Sequence, residues 1–225
     1  MHILYVTPYV PSLIRTRPYN LIRALTQLDH RITLLTAAGT SEEQAEAHEL
    51  KDLGVRTEVF PVARTRSLLN CLQALPTAAP LQAVFSYHPG MERRLAQLLR
   101  EEAFSVLHIE HLRAARLARG VARTTEHSDT PVLYDSVDSI SLLFEQAAQS
   151  GAQWRSRLMT AIDLNRTRQY EAWLLTQFNQ VVVTSRRDKE ALEGLGQRYL
   201  PPGSKSAPVT VVTNGVDLDY FQPSE

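Results

Sequence analysis

His2-Ile3-Leu4-Tyr5-Val6-Thr7-Pro8, then the helical stretch ending near Leu28, then Arg31-Ile32-Thr33-Leu34-Leu35-Thr36 decide the fold. The first run is short and apolar and stops at Thr7-Pro8, the pattern of a buried strand. After a loop from Pro8 to Thr16, Leu21, Ile22, Leu25 and Leu28 line one face of a helix. Arg31 to Thr36 is a second short apolar run. Strand, helix and strand in this order imply a crossover between parallel strands.

The alternation continues along the chain. Ser41 to Leu53 predicts a polar helix with Gly54 as its C-cap, and Val55 to Val62 a third strand. Further strands are expected at Ser105 to Ile109, Pro131 to Tyr134, Val181 to Thr184 and Pro208 to Thr213. Helical patterns fill Met91 to Glu102, Leu112 to Ala122, Ser139 to Gln149 and Trp154 to Phe178. Ser185 opens a last helix, and Asp188 completes a capping box. About seven strands separated by helices predict one α/β domain over residues 1–213, a Rossmann-like, doubly wound, mainly parallel sheet.

Composition narrows the function. The 24 Lys and Arg balance 24 Asp and Glu, which speaks against a nucleic-acid partner. Cys71 is the only cysteine, so neither a disulfide framework nor a cysteine zinc site is available, and a reducing compartment is expected. The N-terminus lacks the basic region and cleavage site of a signal peptide. The uncharged run from Ser67 to Met91 holds Asn70, Gln73, Gln82 and several prolines, so it does not read as a spanning helix. A cytoplasmic location follows as the expectation, with contact at the inner face of a membrane as an extension of it.

In a sheet of this kind ligands sit beyond the carboxyl ends of the strands. The loops expected there are 7–17, 110–112, 135–139, 185–187 and 214–217. The first has no Gly-x-Gly-x-x-Gly, which argues against a dinucleotide enzyme, and no Walker motif exists. Arg15 and Arg17 precede a helix N-terminus, where they can hold a phosphate or stay solvated. Glu110 or His111, closing a strand, can act as general base toward a hydroxyl, whereas His108 reads as a core histidine. His108 and Glu110 share a face, but two ligands are too few for a metal site. Asp135 and Asp138 can bind sugar hydroxyls, with helix capping as the alternative for Asp138 or Ser139. Asp217-Leu218-Asp219 and the glycosylation sequon Asn165-Arg166-Thr167 read as coincidences. Arg113, Arg116, Arg119 and Arg123 form a basic helical stripe, able to touch anionic headgroups or simply to be solvated.

Three stretches carry a resemblance. The closing segment, Val209-Thr210-Val211-Val212-Thr213-Asn214-Gly215-Val216-Asp217-Leu218-Asp219-Tyr220-Phe221-Gln222-Pro223, resembles the interdomain segment of family 4 glycosyltransferases. Pro18-Tyr19-Asn20-Leu21-Ile22-Arg23-Ala24-Leu25 with Asp29-His30-Arg31-Ile32-Thr33-Leu34-Leu35 is similar to that family's first helix and second strand. Tyr170-Glu171 and Val181-Val182-Val183-Thr184-Ser185-Arg186-Arg187-Asp188 are similar to its later helix and strand.

The resemblance implies a GT-B architecture, of which this chain would supply the N-terminal, acceptor-side half. Residues 214–225 would then begin the linker to a donor domain. It implies sugar transfer from a nucleoside-diphosphate sugar with retention of configuration, without a metal or other cofactor. The acceptor would be a carbohydrate or a lipid-linked carbohydrate. The implied roles are catalytic contacts for Glu110 and His111 and substrate binding for Arg15, Arg17, Asp135, Asp138 and Ser185. The chain alone would be inactive. Two departures from the family pattern stand out. The loop from Pro8 to Pro18 contains no glycine, and Glu110 stands where relatives place a histidine, with His111 next to it. The rival readings are a non-catalytic sugar- or nucleotide-binding module and a phosphate-handling α/β enzyme such as a sugar epimerase.

Overall fold

The computed structural model describes residues 1–117, 130–149 and 154–215. Its elements run β1 (His2–Thr7), α1 (Thr16–Gln27), β2 (Arg31–Ala38), α2 (Ser41–Glu49), β3 (Arg56–Pro61), α3 (Arg64–Ala74), α4 (Leu81–Val84), α5 (Pro89–Glu101) and β4 (Val106–Glu110). A helix described over 112–117, here α6, follows. Then come β5 (Val132–Val137), α7 (Ile140–Gln149), α8 (Trp154–Leu174), β6 (Gln180–Val183), α9 (Arg186–Tyr199) and β7 (Val209–Val211).

The seven strands form one sheet in the order β3-β2-β1-β4-β5-β6-β7. Every pairing is parallel. The fold is thus α/β and Rossmann-like, as expected for one half of a GT-B architecture. Strand alternation divides the core between two faces. Ile3, Tyr5, Ile32 and Leu34 pack with Ile22 and Leu50 on one side. Leu4, Val6, Leu107, Ile109 and Val181 pack with Leu95, Leu98, Leu174 and Leu192 on the other.

The elements depart from the expected boundaries by a residue or more in several places. The α2 helix stops at Glu49, and Gly54 takes the left-handed φ of 76° only after a run of turns. Strand β4 extends to Glu110, and β5 extends through a register shift to Val137. The stretch between β3 and α5 contains two helices, α3 and α4, that the reading of it as an uncharged run left unassigned. Asn165 of the sequon is exposed, but it lies within helix α8, and Thr167 is buried there and donates to the Asp163 carbonyl at 2.7 Å.

Chain order reverses at β1, which pairs with β2 on one side and β4 on the other. The helices following those two strands diverge, leaving a crevice above the carboxyl ends of β1 and β4. Beside it, α7 enters under an unusual cap. Glu171 of α8 is 1% exposed and accepts from the Ile140 N–H at 2.7 Å and the Ser141 N–H at 3.2 Å. A side chain from a neighbouring helix thereby satisfies the free N–H groups of the first turn. Burial pushes the Glu171 carboxyl up to about 7, although those N–H groups favour its charge.

Between the ordinary carboxylate range and pH 7 the folded chain keeps a proton that the unfolded chain has lost. Glu171 therefore weakens folding progressively as pH rises through that window, by about 3 kcal/mol in total. In urea melts, the stability advantage of the native protein over Glu171→Gln should be larger near about pH 5 than near about pH 8. Parallel pH curves for the two proteins would contradict this.

Candidate active site

Asp135, two residues before the end of β5, is 1% exposed and holds three elements. Its Oδ2 accepts from Arg17 Nε at 3.1 Å and Nη2 at 2.8 Å, a fork that brings in the start of α1. Its Oδ1 accepts from the Val137 N–H at 3.0 Å. Its backbone carbonyl accepts from the His111 N–H at 2.7 Å. Arg17 continues outward, donating from Nη1 to the Val212 carbonyl at 3.2 Å and to Asn214 Oδ1 at 2.7 Å. One guanidinium thus ties α1, β5 and the segment after β7 together.

A polar ladder crosses from β1 to β5 on this face. Tyr5 lies in register with His108, and Glu110 with Asp135. The Tyr5 ring stacks on His108, with centroids 4.1 Å apart, and its hydroxyl donates to Glu110 Oε2 at 2.6 Å. The Tyr9 hydroxyl donates to Glu110 Oε1 at 3.0 Å. Burial is the largest influence on both carboxylates and pushes each upward. Glu110 ends above the usual range, with the charge of Asp135 adding to the effect. Asp135 ends below it, because His108 and Arg17 together outweigh burial. Two adjacent carboxyls are thereby driven in opposite directions. His108 Nε2 is buried without a hydrogen-bond partner and lies 3.7 Å from Asp135 Oδ2, beyond hydrogen-bond reach.

His111 follows β4 with a left-handed φ of 68°, and Val137 ends β5 with φ 65°. Such angles are strained in both residues, most of all in β-branched Val137. The backbone bonds to Asp135 keep them there. The His111 ring accepts from the Arg113 N–H at Nδ1, at 3.2 Å. Burial first, and the Arg113 charge second, push its pKa down to about 4. His111 is therefore neutral at physiological pH, and the occupied Nδ1 leaves the proton on Nε2. Tyr9 meets the His111 ring edge-on, with centroids 5.9 Å apart.

The structure distributes the expected site residues between two groups. Glu110, His111, Arg17 and Asp135 meet at the crevice. Arg15 joins them at the mouth, with its guanidinium 4.7 Å from the Tyr9 ring centre and an ion pair to Glu43 at 2.8 Å. Asp138 faces β6 and accepts from the Thr184 hydroxyl at 3.1 Å. The Ser185 hydroxyl is the N-cap of α9, accepting from the Asp188 N–H at 3.1 Å and donating to the Asp188 carboxylate. The cap of α7 is formed by Ser139 and Glu171 rather than Asp138. Asp217, Asp219, Arg119 and Arg123 lie outside the described residues.

Two residues of the site carry no sequence signal of their own, Tyr5 and Tyr9, which supply the donors for Glu110. His108, read from the sequence as a core histidine, stacks on Tyr5 within the polar ladder. His108, Glu110 and Asp135 have ligand atoms within 4.8 Å of one another, the trio needed where His108 and Glu110 alone were too few. Arg17 and the two tyrosines already satisfy both carboxylates of that trio.

Over residues 14–215 the sequence matches the glycosyl transferase 4-like domain. The chain belongs to that family. Among solved structures, Anabaena Alr3699/HepE in complex with UDP-glucose has TM-score 0.55 at 15% identity, covering 100% of this chain and 46% of the other. Phytolacca americana UGT2, complexed with UDP-2-fluoro-glucose and pterostilbene, has TM-score 0.52 at 13% identity, covering 99% and 57%. Medicago truncatula UGT71G1, complexed with UDP-glucose, has TM-score 0.52 at 8% identity, covering 99% and 53%. At these identities the likeness is one of fold. This glycosyl transferase 4-like domain spans about half the length of those chains. No curated protein matches its sequence. None of its described helices is long and apolar enough to cross a membrane.

Removing either partner of the Arg17–Asp135 bridge leaves the other charge buried, so Arg17→Ala and Asp135→Ala should each cost about 3 kcal/mol. The double variant should lose at least about 1 kcal/mol less than the sum of the single losses. Urea unfolding of the four proteins measures this coupling, and strictly additive losses would show that the bridge is not the clamp.

Proposed function

We propose that this domain is the N-terminal, acceptor-side half of a retaining glycosyltransferase that uses a nucleoside-diphosphate sugar. Residues 1–213 form the acceptor domain, and residues 214–225 begin the link to a donor domain. The observation that carries the reading is the strained, neutral His111 held beside Tyr9 and Glu110 at the crevice. With Nδ1 occupied, His111 offers an Nε2–H donor toward a sugar or acceptor oxygen. A donor fixed before the substrate arrives stabilises developing charge without reorganisation at the moment of reaction. The UDP-sugars bound to HepE and to the two plant proteins support a nucleotide sugar as the donor substrate here.

The remaining residues take roles that follow from their partners. Glu110 is fully buried with both oxygens accepting from tyrosines, so it acts as a positioning residue through Tyr9. Asp135 and Arg17 position His111. Arg15 at the mouth is the cation for a diphosphate or an anionic acceptor, its ion pair with Glu43 being partly exposed. Asp138 stands ready for acceptor hydroxyls once Thr184 turns away, whereas Ser185 keeps its cap. The acceptor is a carbohydrate or a lipid-linked carbohydrate, and the chain by itself does not turn over.

The full-length protein should release nucleoside diphosphate from one sugar donor in an acceptor-dependent way and form a product of unchanged anomeric configuration by NMR. His111→Ala should lower kcat about 10²–10³-fold. Because the His111 pKa lies near 4, the native pH profile should show no His111 titration between about pH 6 and 8. Inversion, or nucleotide-sugar binding without transfer to any acceptor, would overturn the reading.

A further inference from the structure

Helix α3 is inside out. It buries Ser67, Asn70 and Ala74. Asn70 satisfies its amide on the Val84 carbonyl at 3.1 Å and the Tyr87 carbonyl at 2.9 Å. The opposite face is apolar and wet: Leu68 is 62% exposed, Leu69 45%, Leu72 63% and Leu75, just past the helix end, 51%. At 100° per residue these four leucines fall within one arc of about 120°. Phe85, beyond α4, is also exposed. A contiguous apolar face of this kind on a domain surface marks a site of interaction.

The charge around the stripe selects the partner. No Asp or Glu occurs between Glu58 and Glu92. Those two flanking acids are engaged, Glu58 by Arg94 and Glu92 by the Tyr87 hydroxyl. Asp163, the acid reaching the segment from α8, is 8% exposed and accepts from the Leu81 N–H. The cations, in contrast, stand at the two ends of the face. Exposed Arg64 and half-buried Arg66 occupy the first turn of α3, the wrong end for the helix dipole. Arg166 reaches the other end, donating to the Leu75 carbonyl at 2.8 Å. Arginines at an α3 N-terminus lacking acid weaken the isolated helix, and an anionic surface beside it would reverse that penalty.

We propose that the leucine face of α3 lies in the surface of an anionic lipid bilayer, with Arg64 and Arg166 at its two ends on the headgroups. An eleven-residue helix cannot span but can lie flat, its apolar side sunk to the acyl boundary. This surface is separate from the crevice, and the inference stands whether or not the transferase reading does.

The test is flotation of the purified full-length protein with vesicles of phosphatidylcholine alone and with about a third phosphatidylglycerol. The protein should float with the anionic vesicles and hardly with the neutral ones, and about 0.5 M salt should release most of it. Leu68→Gln/Leu72→Gln should lower the partition coefficient at least about tenfold with an unchanged melting temperature, since both side chains are already in water. Arg64→Gln should lower it less, about threefold. Leu75→Gln gives an independent reading if the double variant melts early. Failure to bind anionic vesicles, or binding indifferent to the leucine substitutions, would overturn the proposal. A leucine-dependent dimer without vesicle affinity would overturn it as well, because a second copy would then cover the face.

Discussion

The buried pair of Arg17 and Asp135 is the constraint from which the crevice takes its shape. A carboxylate 1% exposed is unfavourable unless a cation and donors meet it, and Arg17 delivers two parallel N–H groups. Once the guanidinium is there, α1 must start over β5, and the loop 8–15 must bend across the ends of β1 and β4. That bend sets Tyr9 against Glu110 and Arg15 against Tyr9. The third branch of the guanidinium fixes Val212 and Asn214 near the start of α1, so the exit of the chain from the sheet is tied to its first crossover.

The same pair carries the strain. Val137 closes β5 and His111 follows β4, both at positive φ, and both N–H groups terminate on Asp135. Strained backbone persists only where its surroundings over-determine it. Here the over-determination comes from one residue fixed by a charge. What the strain achieves is local. It turns the His111 ring against Tyr9, half-buries it, and keeps it neutral with Nδ1 occupied. A solvated histidine at a strand end would hold neither that tautomer nor that orientation.

The seven parallel strands were legible because apolar runs and helical periods are local patterns. The crevice was legible in outline because the carboxyl edge of a parallel sheet is where loops converge. Its wiring was not. Arg17 and Asp135 are 118 residues apart, and no local pattern says that they meet. The side-by-side placement of Glu110 and Asp135 depends on β4–β5 register, which a one-residue slip would abolish. Tyr5 and Tyr9 read as a strand residue and a loop residue, and only pairing puts their hydroxyls on one carboxylate. Ser185 was the reverse case: its capping box with Asp188 was plain in the sequence, and that local bond is what the structure uses. The leucines of α3 did carry a signal, since the spacing of 68, 69, 72 and 75 is helical. Such spacing ordinarily marks a buried face, but the interior takes Ser67 and Asn70 instead, with the Asn70 amide on the Val84 and Tyr87 carbonyls.

That inversion connects the two surfaces of the molecule. Helix α3 begins just beyond the carboxyl end of β3, on the same edge of the sheet as the crevice. A domain resting its α3 leucines on a bilayer would therefore hold that edge near the lipid rather than facing bulk water. Leu13 and Ile14, 77% and 88% exposed in the loop that also carries Arg15, stand on this edge as well. Apolar side chains left in water at the rim of a polar crevice do not help the isolated fold. They are explained if the crevice works against a partner surface, with the buried charges setting its chemistry from below and an apolar rim closing it from above.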